Sequence, residues 1–275
     1  MADFSLDDLK TLRERLGTGM VETKNALVEA GGDLEKAVEL LRLKGAKGNA
    51  KRADRSTSEG LIAAKENGSE TTIIELSCET DFVAKGEKFV TLGNTVLDAV
   101  VAAGATSPEE GLAASVGADT VEQLISNEAA ILGEKIVLRR LAVVKGEKFA
   151  IYLHKTNKDL PPQVGVVVGY AGDDAETARS IAQHVSFADP QYLTRDEVPA
   201  ADVEAERRIV EEISRNEGKP EAALPKIIEG RVNAFFKQVV LPEQDYARDN
   251  KQSIATVLKN SGLTVQGFVR FKVGA

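Results

Sequence analysis

Residue types that can act as nucleophiles or general bases are few in this chain. Its 275 residues include one cysteine, Cys78, and two histidines, His154 and His184. A hydrolase triad requires a nucleophile, a base and an orienting acid, and no G-x-S-x-G elbow accompanies either histidine. Cys78 lies in an apolar segment, where a buried, inert thiol is the commoner outcome. We therefore predict no catalytic residues, with an enzyme using a His154 or Cys78 site as an alternative.

Nucleotide and metal sites are not predicted either. Neither the G-x-x-x-x-G-K-[ST] loop nor the G-x-G-x-x-G turn occurs, so both common backbone cradles for phosphates are missing from the sequence. One cysteine and two histidines leave little material for a zinc site. Acidic pairs such as Asp173-Asp174 are explained by solvation in a turn. We expect no cofactor and no bound metal.

Charge and composition narrow the class of partner. The formal net charge is −8 and the sequence pI is about 5.1, whereas a protein that binds nucleic acid normally needs a cationic face. Nucleic acid is therefore not expected as a direct ligand. The first ten residues are polar and acidic, unlike a signal peptide, and no apolar run approaches the ~20 residues that cross a bilayer. We expect a cytoplasmic protein that does not bind membranes.

One segment combines residue types in an unusual place. Thr80, Asp81, Phe82 and Val83 follow directly on an apolar run, at a point where the chain must turn toward a helix. In a structural interpretation Asp81 caps that helix and Phe82 enters the core. In a functional interpretation the Phe82 ring is exposed as a wedge against another molecule. The sequence alone leaves both interpretations open.

The elements around this segment alternate between strand and helix. Two strand-like runs, 61–65 and 71–77, flank Asn67-Gly68, which favours a tight hairpin turn. Apolar periodicity predicts the remaining elements: helices over 86–103, 174–186 and 253–260, a helix starting at Val121, and strands over 136–144, 149–154, 164–170 and 265–273. The two halves of this region have a similar plan, which is typical of α+β units with helices on one side of an antiparallel sheet.

Helical segments precede and interrupt that region. Residues 1–45 predict three short helices, the first starting with a Ser5-x-x-Asp8 capping box and ending at Gly17, and the third ending at Gly45. Residues 46–58 are small, polar and basic, as in a linker. Residues 199–240 carry two apolar stripes separated by a turn, which predicts an antiparallel helical hairpin.

Several segments together resemble the elongation factor Ts family. They occur in the family's order and span nearly the whole chain, so the resemblance is more specific than any short motif. The segments are LRERLGTGMVETKNAL at 12–27, GDLEKAVELLRLKG at 32–45, CETDFVAK at 78–85, IAQHVSFADPQYL at 181–193, GKP at 218–220, IIEGRVNAFF at 227–236 and GFVRFKVG at 267–274.

The resemblance implies a domain organisation. An N-terminal three-helix domain similar to ubiquitin-associated (UBA) modules would span 1–45, followed by the basic linker 46–58. The core would comprise two similar α+β subdomains with antiparallel sheet, one at 59–145 and one at 146–198 and 241–275. The hairpin at 199–240 would be an insertion in the second subdomain.

The resemblance also implies a function and site residues. Members of this family act as guanine-nucleotide exchange factors for elongation factor Tu, bound to GDP or nucleotide-free, and perform no covalent chemistry. Thr80, Asp81, Phe82 and Val83 match the family's element that dislodges magnesium. The matched partner-binding positions are Leu12, Arg13, Met20, Val21 and His154. A 2:2 assembly through the hairpin is compatible with the resemblance. A helical-hairpin scaffold that regulates another protein and an enzyme using a His154 or Cys78 site are the alternative functions.

Overall fold

The computed structural model describes residues 4–16 and 18–275, apart from the side chains of Glu14, Arg15 and Ala46. It is a mixed α/β protein in which the strands of every sheet pair antiparallel, as predicted. The elements are α1 (Leu6–Leu16), α2 (Met20–Glu29), α3 (Leu34–Arg52), β1 (Glu59–Asn67), β2 (Glu70–Cys78), α4 (Asp81–Ala84), α5 (Glu87–Ala103), α6 (Pro108–Ala113), β3 (Ser115–Val116), β4 (Asp119–Thr120), α7 (Val121–Leu132), β5 (Val137–Lys145), β6 (Lys148–His154), β7 (Val164–Ala171), α8 (Ala175–Ala188), α9 (Ala200–Asn216), α10 (Leu224–Val239), β8 (Asp245–Tyr246), β9 (Asp249–Ser253), α11 (Ile254–Ser261) and β10 (Thr264–Lys272).

The first sheet has the order β1-β2-β5. Its hairpin turns at the predicted Asn67-Gly68, where Gly68 has a φ of 66°, a conformation that favours glycine. One face of the sheet packs against α5 and α7, with Leu76 beside Phe89 and Val121 in the same buried cluster. Since β2 ends at Cys78, the segment that follows it emerges at an edge of this buried layer.

The second sheet has the order β10-β7-β6 and packs its own helix, α8, on one face. Its other face meets the first sheet, because Val167 shares a buried cluster with Ile62 and Ile73. The packing is close: a Cβ atom added at Gly165 would lie 2.3 Å from Ile62 Cγ2. The two sheets therefore form the middle of a helix, sheet, sheet, helix arrangement, and β2 and β7 are the central strands of their respective sheets.

The N-terminal helices form a small core of their own. Leu9, Leu12, Leu27 and Leu41 are buried together between α1, α2 and α3. The predicted capping box is confirmed, because Ser5 N donates to Asp8 Oδ2 over 2.8 Å and Asp8 N donates to Ser5 Oγ over 3.0 Å. The predicted stop at Gly17 lies outside the described residues.

Helix α3 is longer than the sequence predicted. The predicted end at Gly45 is wrong, because the helix continues to Arg52 and takes in residues 46–52 of the segment interpreted as a linker. This extension packs on α7, where Asn49 Nδ2 donates to both the carbonyl and the hydroxyl oxygen of Ser126 over 2.9 Å. Two glycines in a helix cost about 1 kcal/mol each, and contact with α7 offsets that cost.

Helices α9 and α10 pack on each other through a separate apolar cluster that includes Val210, Leu224, Ile228 and Val232. Pro225 occupies the first turn of α10, where its missing N–H is tolerated. Charged side chains also join the pair, as in the contact of Arg231 Nη2 with Glu217 Oε2 at 2.7 Å. Among the described residues, no helix combines the length and apolar character that crossing a membrane requires.

Candidate functional site

The segment after β2 forms a single short helical turn, α4. Thr80 is its N-cap, with extended backbone angles of φ −124° and ψ 154°, and its hydroxyl oxygen accepts a hydrogen bond from Val83 N over 3.3 Å. The structural interpretation assigned this cap to Asp81, and that assignment is wrong. Asp81 instead lies at the first helical position, where its Oδ2 is 3.8 Å from Lys85 Nζ.

Phe82 lies on the outer side of α4. Its side chain is 74% exposed, whereas Val83 and Ala84, on the inner side, are buried in the first sheet's core. The interpretation of Phe82 as a core residue is therefore wrong. Lys85 Nζ lies 5.5 Å from the ring centroid, a distance at which a cation is attracted to the ring face. A large apolar ring thus stands in solvent on a turn whose other face is anchored.

Two acidic residues connect this turn to the segment that follows α7. Glu134 Oε2 accepts from Glu79 N and Thr80 N, each over 3.1 Å, and Glu134 Oε1 accepts from the Thr80 hydroxyl over 2.5 Å. In return, Glu79 Oε1 accepts from Lys135 N over 2.7 Å. Glu134 could not be predicted as part of this site, because no pattern in the sequence connects it to residues more than fifty positions earlier.

Cys78 is unsuited to nucleophilic chemistry. It is fully buried, and its thiol donates to Thr80 O over 3.4 Å. Burial, with a smaller contribution from the negative charge of Glu134, raises the pKa of the Cys78 thiol to about 12. The thiol is therefore un-ionised near neutral pH, and the reactive species, the thiolate, is not available.

The predicted partner-binding residues of the N-terminal helices differ in exposure. Met20 and Val21, in the first turn of α2, are 54% and 72% exposed. Arg13 is half-buried. Leu12 is only 2% exposed and belongs to the small core of these helices. The structure thus presents Met20 and Val21 to solvent, and it uses Leu12 to hold α1 in place.

The two histidines have different environments. His154 is exposed at the end of β6, where its Nδ1 lies 3.0 Å from the Tyr152 hydroxyl. His184 is buried in α8, where its Nε2 lies 2.8 Å from Gln244 Oε1 and its Nδ1 accepts from Ala247 N over 3.2 Å. Burial lowers the pKa of His184. Its neighbours satisfy both ring nitrogens, so His184 is a structural residue.

Within residues 4–16 and 18–275, no group of three or more His, Cys, Asp or Glu side chains is placed to hold a metal ion. The feature that stands out is therefore the anchored turn with its exposed ring. Its apolar ring is accessible for contact with another molecule.

Comparison with known proteins assigns the chain to a family. A family model described as elongation factor TS matches residues 79–275. The chain belongs to the elongation factor Ts family. It is 76% identical over 276 residues to elongation factor Ts of Leifsonia xyli subsp. xyli, and 69% identical over 275 residues to that of Clavibacter sepedonicus. Identity to elongation factor Ts of Tropheryma whipplei is 51% over 274 residues. Each of these alignments covers the whole of both chains.

Membership of the elongation factor Ts family places the chain among the elongation factors of protein biosynthesis. The family match begins at Glu79 and so includes the whole of α4. The three N-terminal helices precede the matched region, and they are covered by the full-length alignments to individual relatives.

Proposed function

We propose that the chain is a guanine-nucleotide exchange factor for elongation factor Tu and that Phe82 is its wedge. The observation that carries this proposal is the 74% exposure of a phenylalanine on a turn held by buried neighbours and by hydrogen bonds that Glu134 accepts. An apolar ring that stands out from an anchored turn offers area that a partner can bury, which contributes about 25 cal/mol per Å². A site for insertion into a partner explains why the ring points outward.

The proposed mechanism acts on the partner's magnesium and phosphate site. GDP in such a site is held largely by charge, with magnesium bridging phosphate oxygens and side chains. Insertion of Phe82 between packed elements beside that metal would displace its ligands and remove attraction for the phosphates. Asp81, 64% exposed beside the ring, would add negative charge close to the metal. The exchange factor then binds the nucleotide-free state better, and by linkage each ligand weakens the other.

In this proposal the N-terminal helices bind elongation factor Tu. We assign them a UBA-like role in which Met20 and Val21 contact the nucleotide domain of elongation factor Tu, supported by their exposure in the first turn of α2. Arg13 is a further contact, whereas Leu12 contributes by fixing α1. His154 contacts a second region of the partner, and its exposure at the end of β6 is compatible with that role.

Helices α9 and α10 are assigned as the inserted hairpin. Ile209 and Ile213 on α9 are exposed, which supports a protein contact there, either with elongation factor Tu or with a second copy in a 2:2 assembly. The mass of the complex in solution distinguishes a 1:1 from a 2:2 assembly. A cytoplasmic location belongs to the same proposal, since it depends on a role in translation.

Release of labelled GDP from elongation factor Tu tests the proposed function. The chain should accelerate release in the presence of excess unlabelled GTP, and calorimetry should show that the chain alone binds neither GDP nor GTP. Val21→Asp places a charge on the proposed binding surface of α2. It should raise the concentration of the chain that gives half-maximal stimulation of GDP release. Binding to elongation factor Tu without any acceleration would contradict exchange activity and favour the scaffold alternative.

A further inference from the structure

Glu134 is built into the base of the α4 turn. Its carboxylate accepts three hydrogen bonds, from Glu79 N and Thr80 N at Oε2 and from the Thr80 hydroxyl at Oε1. These are the two residues between the end of β2 and the start of α4. Hydrogen bonds to an ionised acceptor are stronger than neutral ones. Glu134 therefore fixes the direction in which the chain leaves the sheet and enters the turn that carries Phe82.

The hydrogen bonds of Glu134 form a clamp on this turn, and Glu79 of the turn accepts one in return. The clamp extends to the end of the N-terminal helices. Glu79 Oε1 accepts from Lys135 N over 2.7 Å, and Glu79 Oε2 lies 3.2 Å from Arg55 Nη1. The Lys135 ammonium donates to the carbonyl oxygens of Ala53 and Arg55, over 2.5 and 3.0 Å. Ala53 and Arg55 directly follow α3. One cluster thus joins the base of the Phe82 turn, the segment after α7 and the exit of the N-terminal helices.

The second strand-to-helix connection is held differently, with the Lys148 ammonium donating to Gly172 O over 2.8 Å and to Asp173 Oδ1 over 2.6 Å. Among the described residues, no carboxylate from another helix is bound to its backbone N–H groups. After β7 the chain reaches α8 through residues 172–174, and the cap is local, with Asp174 accepting from Thr177 N over 2.9 Å. Thr80 provides an equivalent local cap for α4. The hydrogen bonds to Glu134 are additional to that cap, and they act on the orientation of the turn.

We propose that Glu134 is a positioning residue for nucleotide exchange, which holds Phe82 at a fixed place relative to the N-terminal helices through the cluster of Glu79, Lys135 and Arg55. The inference rests on the proposed function, because it assigns Glu134 an effect only through Phe82. A wedge must arrive while the N-terminal helices are already bound. A displacement of about 1 Å at a functional group can reduce a rate about a hundredfold. A variant in which the α4 turn is held less firmly should therefore bind the partner normally but release GDP slowly.

Three variants test the role of Glu134 in GDP release. Glu134→Ala removes all three acceptor bonds, and the release rate at saturating factor should fall about tenfold while the half-maximal concentration changes less than about threefold. Glu134→Gln has nearly the same shape, keeps an acceptor for the two backbone N–H groups, and should recover most of the rate. Glu122→Ala, an exposed glutamate at the start of α7, is the matched control and should behave like the unmodified chain.

A double variant separates positioning from general damage. If Glu134 acts through Phe82, the exchange rate with Phe82→Ala and Glu134→Ala together should equal that of Phe82→Ala alone, because residues in one pathway are not additive. Amide hydrogen exchange gives a direct readout. The Glu79 and Thr80 amides, which donate to Glu134, should exchange faster in Glu134→Ala and stay protected in Glu134→Gln.

The outcomes are distinct. A normal release rate in Glu134→Ala, or independent losses in the double variant, would overturn the positioning role. If Glu134→Ala melts markedly lower, Glu134→Asp replaces it: the carboxylate is retained one methylene short, and an unchanged release rate at saturation would again overturn the proposal. Failure of the unmodified chain to accelerate release would overturn the proposed function itself, and hydrogen exchange would still show whether Glu134 holds the turn.

Discussion

The two central strands, β2 and β7, are each followed by a connection to a helix. The two connections differ in their path and in what they expose to solvent. After β7 the chain passes through Gly172 at a φ of 114°, where an added Cβ would lie 2.8 Å from Gly262 O, and enters α8 directly. After β2 the chain forms an additional turn, α4, and exposes Phe82 before α5 begins.

The contacts of the two connections differ in the same way. Asp174 accepts from Thr177 N of its own helix, and Asp173 accepts from the Lys148 ammonium of the adjacent strand. The first connection is held by Glu134, which is remote in sequence. A connection that only links a strand to a helix needs the local contacts. The first connection thus combines an exposed ring with hydrogen bonds to a remote carboxylate, and the proposed function gives both features a use.

Removal of the Phe82 ring should give the largest effect. If Phe82 were core, Phe82→Ala would reduce the free energy of unfolding by about 3–5 kcal/mol. Because the ring is exposed, the melting temperature should hardly change, whereas GDP release should slow about tenfold or more, which corresponds to about 1.4 kcal/mol. Thermal melting and stimulated release, measured on one preparation, check both parts.

Phe187 provides a matched control for that variant. It is also exposed, near the end of α8, the helix that packs on the second sheet. Phe187→Ala therefore removes the same ring from a comparable environment. We expect its release rate to stay within about twofold of the unmodified chain, as for a surface substitution away from a functional feature. Equal losses in both variants would show that the difference between the connections has no functional meaning.

Substitution of the two N-caps should give a smaller effect. Thr80→Ala and Asp174→Ala each remove a side-chain acceptor at the start of a helix, so each should lower the melting temperature by about 2–4 °C. Only Thr80→Ala also removes the hydroxyl bond to Glu134, so only this variant should slow GDP release, by about threefold. A similar loss of exchange in Asp174→Ala would indicate that general stability limits the rate.

Local signals in the sequence were sufficient for most of the elements. The Asn67-Gly68 turn and the Ser5 capping box depend on neighbouring residues, and both are present. The end of α3 was mispredicted because contact with α7, remote in sequence, stabilises residues 46–52 as helix. The strand pair β3 and β4 was missed because two residues in each strand are too short to show a period.

The candidate site was predictable only in part. The type and place of Phe82 raised two interpretations, and only its exposure in the fold decides between them. Glu134 could not be found at all, since its link to Thr80 exists only after α7 has packed on the sheet. Likewise, Leu12 belongs to a segment typical of the family, yet its burial gives it a different role from that of Met20.

The smallest expected effect concerns pH and His184, which lies on α8 behind the second connection. Its Nδ1 accepts a backbone N–H, from Ala247, so a proton on Nδ1 would break that bond. Burial, which removes hydration from the charged form, lowers the pKa of His184 below the ordinary 6.5 in the folded protein. Below about pH 6.5 the unfolded chain takes up a proton first, so stability falls with falling pH until the folded His184 is also protonated. The slope cannot exceed about 1.4 kcal/mol per pH unit for one proton.

Denaturant unfolding of three proteins between pH 8 and pH 5 measures this effect. In His184→Gln the free energy of unfolding should change less with pH near pH 6.5, even if the substitution lowers stability at every pH. His154→Gln, which alters the exposed histidine beside Tyr152, should keep the slope of the unmodified chain. These are the only two histidines in the sequence, so the pair isolates the buried ring. If the free energy of unfolding of His184→Gln depends on pH as it does in the unmodified chain, the surroundings of α8 accommodate a protonated His184. The neutral form of His184 would then not be needed to fix α8.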